Sequence, residues 1–295
     1  MNTPARPAGT YTLNGTATAL NRMGYGAMQL TGKMAWGPPP DKSAAIAVLR
    51  EAVALGINHI DTSDYYGPHI ANQIIREALH PYPRDLVIVT KVGARRGPDK
   101  SWPAALSRRE LTDAVHDNLR NLGVEALEVV NLRVGEARGT SEAAIAEPLG
   151  VLIDLKREGL IRNIGLSNIT PGQLAEGIAI TEIACVQNRY NLAYRKDDAM
   201  IDDLAQRGIA FVPFFPLGGF SPLQAQALQA AAVAMKATTA QVALAWLLRR
   251  APNILVISGT SSVAHLRQNV AAAALHLPDD MLAALNAVTS GGEPA

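Results

Sequence analysis

The chain has 295 residues, of which 48% are hydrophobic and 18% charged, with a formal net charge of +1. That balance supports a large core, and with no basic stripe it excludes a nucleic-acid binder or a protein held to anionic membrane by charge. The single cysteine, Cys185 in the apolar run Ile183-Ala-Cys-Val-Gln187, excludes a disulfide framework or a cysteine-built metal site and reads as a small buried hydrophobe.

Met1-Asn-Thr-Pro-Ala-Arg-Pro7 lacks the apolar core of a secretory signal, and no window approaches the roughly 18 uninterrupted apolar residues of a membrane span. A cytoplasmic protein without a membrane partner is the expectation, with flexible tails over 1–9 and 290–295. Next comes Tyr11-Thr-Leu, then Asn14-Gly15, then Thr16 to Leu20, which reads as a hairpin because Asn-Gly suits a tight primed turn. Strand-like and helix-like runs then alternate. Strands are expected over 22–26, 57–61, 86–91, 128–132, 161–166, 184–187, 209–214 and 254–257. Helices are expected over 43–55, 71–79, 107–122, 141–158, 171–180, 199–206, 238–249 and 263–273, with a further helix from Pro278.

Boundaries carry their own chemistry. Ser107-Arg-Arg-Glu110 is a capping box, and Gly56, Gly123, Gly159 and Gly208 each stand where a left-handed helix cap is wanted. Leu111, Val115, Leu119 and Leu122 fall on one helical face. Strand–helix pairs repeated in this way predict an α/β fold, a single (β/α)8 TIM barrel with a hairpin plug and an extra C-terminal helix. An open dinucleotide-binding sheet is the competitor, but Gly24-Tyr-Gly26 is followed by Met28 and Gln29 rather than a third glycine.

In a barrel, chemistry sits at the carboxyl ends of the strands. There the sequence offers Asp61 and Tyr66, then Lys91, then Asn131 and Arg133, then Ser167-Asn168, Gln187-Asn188, Phe214 to Gly219, and Ser258 to Ser262. Parallel pairing of consecutive strands would bring Lys91 level with Asp61 and within reach of Tyr66. A cation beside the phenol would lower its pKa from about 10, and a tyrosine so tuned can protonate a carbonyl oxygen. Asp61 and Lys91 as a structural ion pair, with Tyr66 filling a turn, is the alternative. The glycine-bearing turns at Pro216-Leu-Gly-Gly219 and Ser258-Gly-Thr-Ser-Ser262 offer backbone N–H groups, the second at a helix start, where phosphate binds. The histidines show no paired metal-ligand spacing, so no metal is expected.

The stretches Asn58-His-Ile-Asp-Thr-Ser-Asp-Tyr-Tyr-Gly67, Val89-Thr-Lys91, Gly165-Leu-Ser-Asn168, Val186-Gln-Asn188, Pro216-Leu-Gly218, Ser258-Gly-Thr260 and Arg267-Gln-Asn269 resemble the aldo-keto reductases in order and spacing. The resemblance covers about Tyr11 to Val288. It implies a barrel that binds extended NADPH and passes hydride to an aldehyde or ketone. Tyr66 would then be the proton donor, tuned by Lys91 and Asp61. Ser167, Asn168 and Gln187 would clamp the carboxamide, and Phe214 would stack on the nicotinamide where the family usually has a tyrosine. Asp61 with Gly26, Ala27 and Met28 would border the cofactor. Pro216, Leu217, Gly218 and Gly219 would follow the pyrophosphate, and Gly259, Thr260, Ser261, Ser262, Gln268 and Asn269 the adenosine end.

Two departures stand out. Arg133 occupies the position at the end of the fourth strand where the family normally has histidine; its fixed donors and permanent charge predict polarisation of a carbonyl rather than proton shuttling. Alternatively Arg133 turns away to pair with Glu128 or Glu136. Ser261 and Ser262 replace the basic residues that many relatives direct at the 2′-phosphate, leaving His265 or Arg267 to add charge. A closer resemblance, through Gly24 to Gln29, Val115 to Leu122, Val129 to Arg133 and Pro213 to Phe220, is to the bacterial pyridoxal reductase branch. It implies pyridoxal as the small-molecule substrate, with Trp36, Tyr65, Trp102 and Phe220 as an aromatic wall; a monomer would suffice. A nicotinamide-binding sensor with little turnover, or a Schiff-base aldolase working through Lys91, are the competing functions.

Overall fold

The computed structural model describes residues 3–135, 140–219 and 225–288. Strands β1 (Thr10–Thr12) and β2 (Ala19–Asn21) pair antiparallel as a hairpin. Asn14-Gly15 does make a turn there, with Thr16 N–H donating to Leu13 O at 3.0 Å, but strand pairing starts only at Thr12–Ala19. The connection is therefore longer than the expected two-residue turn. Its purpose lies in Leu13, which leaves the strand to enter the core alongside Leu20.

Eight parallel strands follow in one sheet: β3 (Met23–Gly26), β4 (His59–Asp61), β5 (Val87–Val92), β6 (Leu127–Arg133), β7 (Ile161–Ser167), β8 (Cys185–Gln187), β9 (Ala210–Phe211) and β10 (Val256–Ser258). Their order is β10-β3-β4-β5-β6-β7-β8-β9. Phe211 N–H donates to Asn253 O and Leu255 N–H to Phe211 O, each at 2.9 Å, which joins the last strands and closes the ring. Helices α1 (Lys42–Ala54), α2 (Ile70–Leu79), α3 (Arg108–Leu122), α4 (Ala146–Arg157), α5 (Pro171–Ile180) and α6 (Asp198–Gln206) each follow a strand. After β9 come both α7 (Gln226–Ala234) and α8 (Thr239–Arg250); after β10 come α9 (Val263–Ala271) and the extra α10 (Asp279–Asn286). The expected (β/α)8 barrel is the fold. Among the described residues no single helix is long and apolar enough to cross a membrane.

Local chemistry explains the boundaries. Ser107 and Glu110 form the capping box of α3, and Gly56, Gly123, Gly159 and Gly208 take φ values of 90°, 69°, 83° and 69°. Several boundaries differ from expectation: the strand expected over 209–214 is confined to Ala210–Phe211, and α7 is not among the expected helices. Helix α4 begins at Ala146 rather than near 141, where the Glu176 carboxylate of α5 accepts from Ile145 N–H at 3.1 Å and Ala146 N–H at 2.9 Å. A negative side chain from another helix caps and charge-matches this N-terminus, and Pro148 is tolerated because the first turn has no donor to lose. The expected N-terminal tail is packed from residue 3: Ala5 is buried and its N–H donates to Leu55 O at 3.1 Å. The expected tail over 290–295 lies outside the described residues.

Two cores result from strand alternation. Ile60, Val130, Leu132, Ile164, Leu166, Val186, Phe211 and Val256 face outward and pack with the helices. Val87, Val89, Val129, Cys185, Ala210, Val212, Leu255 and Ile257 face inward and fill the lumen above the hairpin's Leu13 and Leu20. Cys185 is thus the buried small hydrophobe expected. Because side chains alternate with period two, the next inward positions along each strand are Lys91, Asn131 and Arg133, Ser167, Gln187, Phe214 and Gly259, with Asp61 inward on β4. The lumen changes from aliphatic to polar where the strands end.

Candidate active site

Asp61 pairs in register with Val89, not Lys91. The expected level arrangement is therefore corrected: strands in a closed barrel are staggered, and Lys91 lies one inward position further along. Its side chain reaches back instead. Lys91 Nζ donates to Asp61 Oδ2 at 2.5 Å and to Thr62 O at 3.0 Å, and Gln187 Nε2 donates to Asp61 Oδ1 at 2.7 Å. All three side chains are buried. An isolated buried charge would cost several kcal/mol, and the mutual pairing with added hydrogen bonds offsets that cost.

Tyr66 follows on the turn after β4, its N–H bonded to Ser63 O at 3.0 Å and its carbonyl accepting from Ala71 N–H of α2 at 3.2 Å. Lys91 Nζ stands 5.3 Å from the centre of the Tyr66 ring. Acid, phenol and amine do share one volume. The electrostatics differ from the simple expectation, however. Burial first and Asp61 second push the Tyr66 phenol above its ordinary pKa, and Arg133 draws it part of the way down. Lys91 is turned to Asp61 and the Thr62 carbonyl, so the expected lowering does not occur. Tyr66 stays a neutral phenol, the form that can give a proton.

An aromatic wall stands beside Tyr66. Tyr65 meets Tyr66 edge-to-face at 5.3 Å and Trp102 at 5.6 Å, and Trp102 lies 6.2 Å from Tyr66. Arg96, which the sequence did not single out, holds this wall together: its guanidinium lies 3.8 Å from the Trp102 ring centre and 5.5 Å from that of Trp36, and it donates to the carbonyls of Met34, Ala35 and Lys100. Of the aromatics expected there, Phe220 lies outside the described residues. Met28 packs against the same cluster, whereas Ala27 is buried in the main core.

Arg133 ends β6 on an inward position, and its charge acts on both Tyr65 and Tyr66. Glu128, one of its two alternative partners, pairs with Arg162 at 3.4 Å; Glu136 lies outside the described residues. Ser167 pairs in register with Gln187, so these two side chains face the mouth side by side. Ser167 Oγ and Gln187 Oε1 are buried without a hydrogen-bond partner among the described residues. Such orphans are rare, and a donor and acceptor pair so placed fits a carboxamide. Asn168, at φ 59°, is committed in part: its Nδ2 donates to Val134 O at 2.9 Å. Asn188 binds both backbone groups of Ile169, locking the turn. Phe214 borders the mouth, edge-on to Phe215 at 5.3 Å.

Backbone approaches closely where the sequence put glycine. A Cβ on Gly26 would lie 2.7 Å from Ile257 O, and one on Gly259 2.6 Å from Gly26 O. Pro216 and Leu217 lead into Gly218, whose N–H donates to Phe215 O at 3.0 Å, and Gly219 turns under the Phe215 ring. Ser262 caps α9, accepting from His265 N–H at 3.4 Å, and Thr260 is fixed through its carbonyl by the buried Tyr25 hydroxyl at 2.7 Å. Ser261 and Gln268 are exposed and Asn269 is buried. Arg267 does not lend its charge here, because its Nε binds Glu51 of α1 at 2.7 Å. Of the two basic residues expected to help, exposed His265 remains at the helix start.

The histidines are not all peripheral. His59 is buried in the lumen one inward step below Asp61, and burial lowers its pKa to about 4. Asp64, His69 and Asp117 converge closely enough for a cation. Their atoms are already engaged: His69 Nδ1 meets Asp64 Oδ2 at 2.5 Å, Asp64 Oδ1 accepts from Asn72 and Asn121, and Asp117 pairs with Arg120.

The family model described as the aldo/keto reductase family matches residues 22–290. The chain is 61% identical over 282 residues to "Pyridoxine 4-dehydrogenase" of Escherichia coli, covering 95% of this chain and 98% of that one. Among solved structures it resembles a thermostable aldo-keto reductase, Tm1743, crystallised with the inhibitor epalrestat, at TM-score 0.81 and 27% identity over 95% of this chain and 99% of that one. It also shares its fold with an aldo/keto reductase from Klebsiella pneumoniae in complex with NADP and acetate, at TM-score 0.78 and 23% identity over 97% and 96% of the two chains. With the barrel, the buried Asp61–Lys91 pair and the adjacent phenol already in view, these matches make this chain a member of the aldo/keto reductase family.

Proposed function

We propose that this chain is an NADPH-dependent reductase of small aldehydes and ketones, with pyridoxal, reduced to pyridoxine, as its foremost substrate. The observation that carries the reading is the buried Asp61–Lys91–Tyr66 cluster at the carboxyl ends of β4 and β5, with Lys91 Nζ 5.3 Å from the Tyr66 ring. The substrate reading is supported by the 61% identity to a protein called pyridoxine 4-dehydrogenase and by the aromatic wall of Tyr65 and Trp102, which suits a flat aromatic aldehyde. NADPH follows from the solved relative that carries NADP, and the unpartnered Ser167 Oγ and Gln187 Oε1 suit its carboxamide.

A bound nicotinamide dinucleotide supplies the hydride. Ser167, Asn168 and Gln187 would hold its carboxamide, Phe214 would lie against the nicotinamide, and Gly26, Ala27, Met28 and Asp61 would border it. Pro216 to Gly219 would follow the pyrophosphate, while Gly259 to Ser262, Gln268 and Asn269 would receive the adenosine end. Tyr66 gives its phenolic proton to the substrate oxygen as the carbonyl carbon is reduced, so a carbonyl becomes an alcohol. Arg133, in place of a titratable histidine, offers fixed N–H donors to the same oxygen and stabilises the charge that gathers there. Lys91 holds Asp61 in place, and Asp61 with Arg133 sets the field in which the phenol works.

The test is steady-state NADPH and NADH oxidation with a panel of aldehydes that includes pyridoxal. Sustained multiple turnover, fastest with pyridoxal and NADPH, is expected. Tight nicotinamide binding without turnover would assign a sensor instead, and preference for another aldehyde would overturn the substrate.

A further inference from the structure

Behind the Asp61–Lys91 pair, on the opposite side of the strands, runs a second polar chain. The outward positions read Ile60 then Thr62 just past the end of β4, and Ile88 then Thr90 within β5 before Val92, so one hydroxyl takes the place of an aliphatic group on each. Thr62 Oγ1 donates to Asn72 Oδ1 of α2 at 2.8 Å, and Thr90 Oγ1 donates to Asn118 Oδ1 of α3 at 2.5 Å. Asn72 Nδ2 joins the two halves, donating to Asn118 Oδ1 at 2.9 Å, and also reaches Asp64 Oδ1 at 3.1 Å. Asn118 Nδ2 is held by Ala114 O at 2.8 Å. Thr62, Asn72, Thr90 and Asn118 are each 0% exposed.

Four polar side chains in an otherwise apolar layer cost desolvation that an apolar set of the same volume would avoid. Their placement explains the cost. Thr62 follows Asp61, Thr90 precedes Lys91, and Asp64 lies two residues before Tyr66. Strand parity sends Asp61 and Lys91 into the lumen and Thr62 and Thr90 out of it, so the network grips the backbone of the acid and the amine from behind. Two isolated threonines would fix each strand to its own helix only. The Asn72–Asn118 bond couples the two, and Asn72 extends the coupling to the turn that carries Tyr66.

We infer that Asn72 and Asn118 are positioning residues of the reductase, a bridge between α2 and α3 that sets the mutual placement of Asp61, Lys91 and Tyr66. The inference rests on the roles proposed above for those three residues.

The test uses near-isosteric variants that keep the fold, Thr62→Val and Thr90→Val, beside Asn72→Ala and Asn118→Ala, with NADPH and the aldehyde turned over fastest. Displacement of reacting groups from a distance is felt in turnover, so each valine variant should lose about tenfold in kcat, with KM for the aldehyde and Kd for NADPH within about twofold of the parent. Thr90→Ser, which keeps the hydroxyl, should restore kcat. The Thr62→Val and Thr90→Val effects should combine to less than their product, because both act through one bridge. Unchanged kcat in both valine variants, with only a lower Tm, would make the network a fold element and overturn the inference. Tyr66→Phe and Lys91→Met are measured alongside: if they too keep the parent's rate, the roles assigned to those residues fail and the inference falls with them.

Discussion

Lys91 Nζ lies 2.5 Å from Asp61 Oδ2, in a lumen where both side chains are only 4% exposed. Each buried charge is matched by the other, so each depends on the other for stability as well as for chemistry. Replacing one member of such a pair leaves an uncompensated buried charge and typically costs about 3–5 kcal/mol. Lys91→Met should therefore unfold at clearly lower urea concentration than the double variant Lys91→Met with Asp61→Leu. Urea melts of the two check this; equal midpoints would mean that the pair is not electrostatically coupled.

Acid stability follows from His59. Burial lowers its pKa to about 4, below the unfolded value near 6.5, with Asp61 opposing and Lys91 assisting. Between those limits the unfolded chain binds a proton that the folded chain refuses, so stability is full above about pH 6.5 and is lost as the pH falls toward 4, on the order of 3 kcal/mol in all. Urea melts at pH 7.5 and 4.5 should show the loss, and His59→Asn should reduce it. The same slope in the variant would assign the acid sensitivity elsewhere.

Alkali acts oppositely. The Tyr66 phenol is raised by burial and by Asp61. Its folded pKa exceeds the unfolded value, so this contribution is intact below about pH 10 and declines as the pH rises beyond. Turnover should accordingly show no alkaline limb from the phenol below about pH 10. A pH–kcat profile checks it, and a limb at pH 8 that disappears in Tyr66→Phe would contradict the neutral phenol.

Arg133 is inward-facing and acts on Tyr66 electrostatically. Arg133→Ala should lower kcat by about 10²-fold, the scale for removing a donor aimed at a developing oxyanion. Arg133→Lys should recover only part, since a single ammonium cannot reproduce the fork. Undiminished carbonyl reduction by Arg133→Ala would remove the role.

Much of this was legible in the chain. Strand–helix alternation, the Ser107 capping box and the four capping glycines are local signals, and they located the barrel and the mouth. The missed parts are those fixed by distant residues. The start of α4 is set by Glu176 from the next helix, and the N-terminal segment is ordered by packing on α1. The fate of Arg267 depends on Glu51, more than 200 positions away. Helix α7 carries an alanine-rich sequence with no side-chain cap, so nothing local marked its ends. For the bridge behind the site a signal did exist: Asn118 shares the apolar stripe of Leu111, Val115 and Leu122, where a polar residue is out of place. The direction of the Tyr66 shift was misread because sequence gives neighbours but neither burial nor the target of the Lys91 hydrogen bonds.

Tyr66→Phe gives the most direct test, because the substitution removes one hydroxyl and keeps the ring that packs against Tyr65 and Trp102. Single-turnover reduction of pyridoxal by the NADPH-bound variant should slow by about 10²–10⁴-fold while NADPH binds as in the parent. Reduction at the parent's rate would contradict the account.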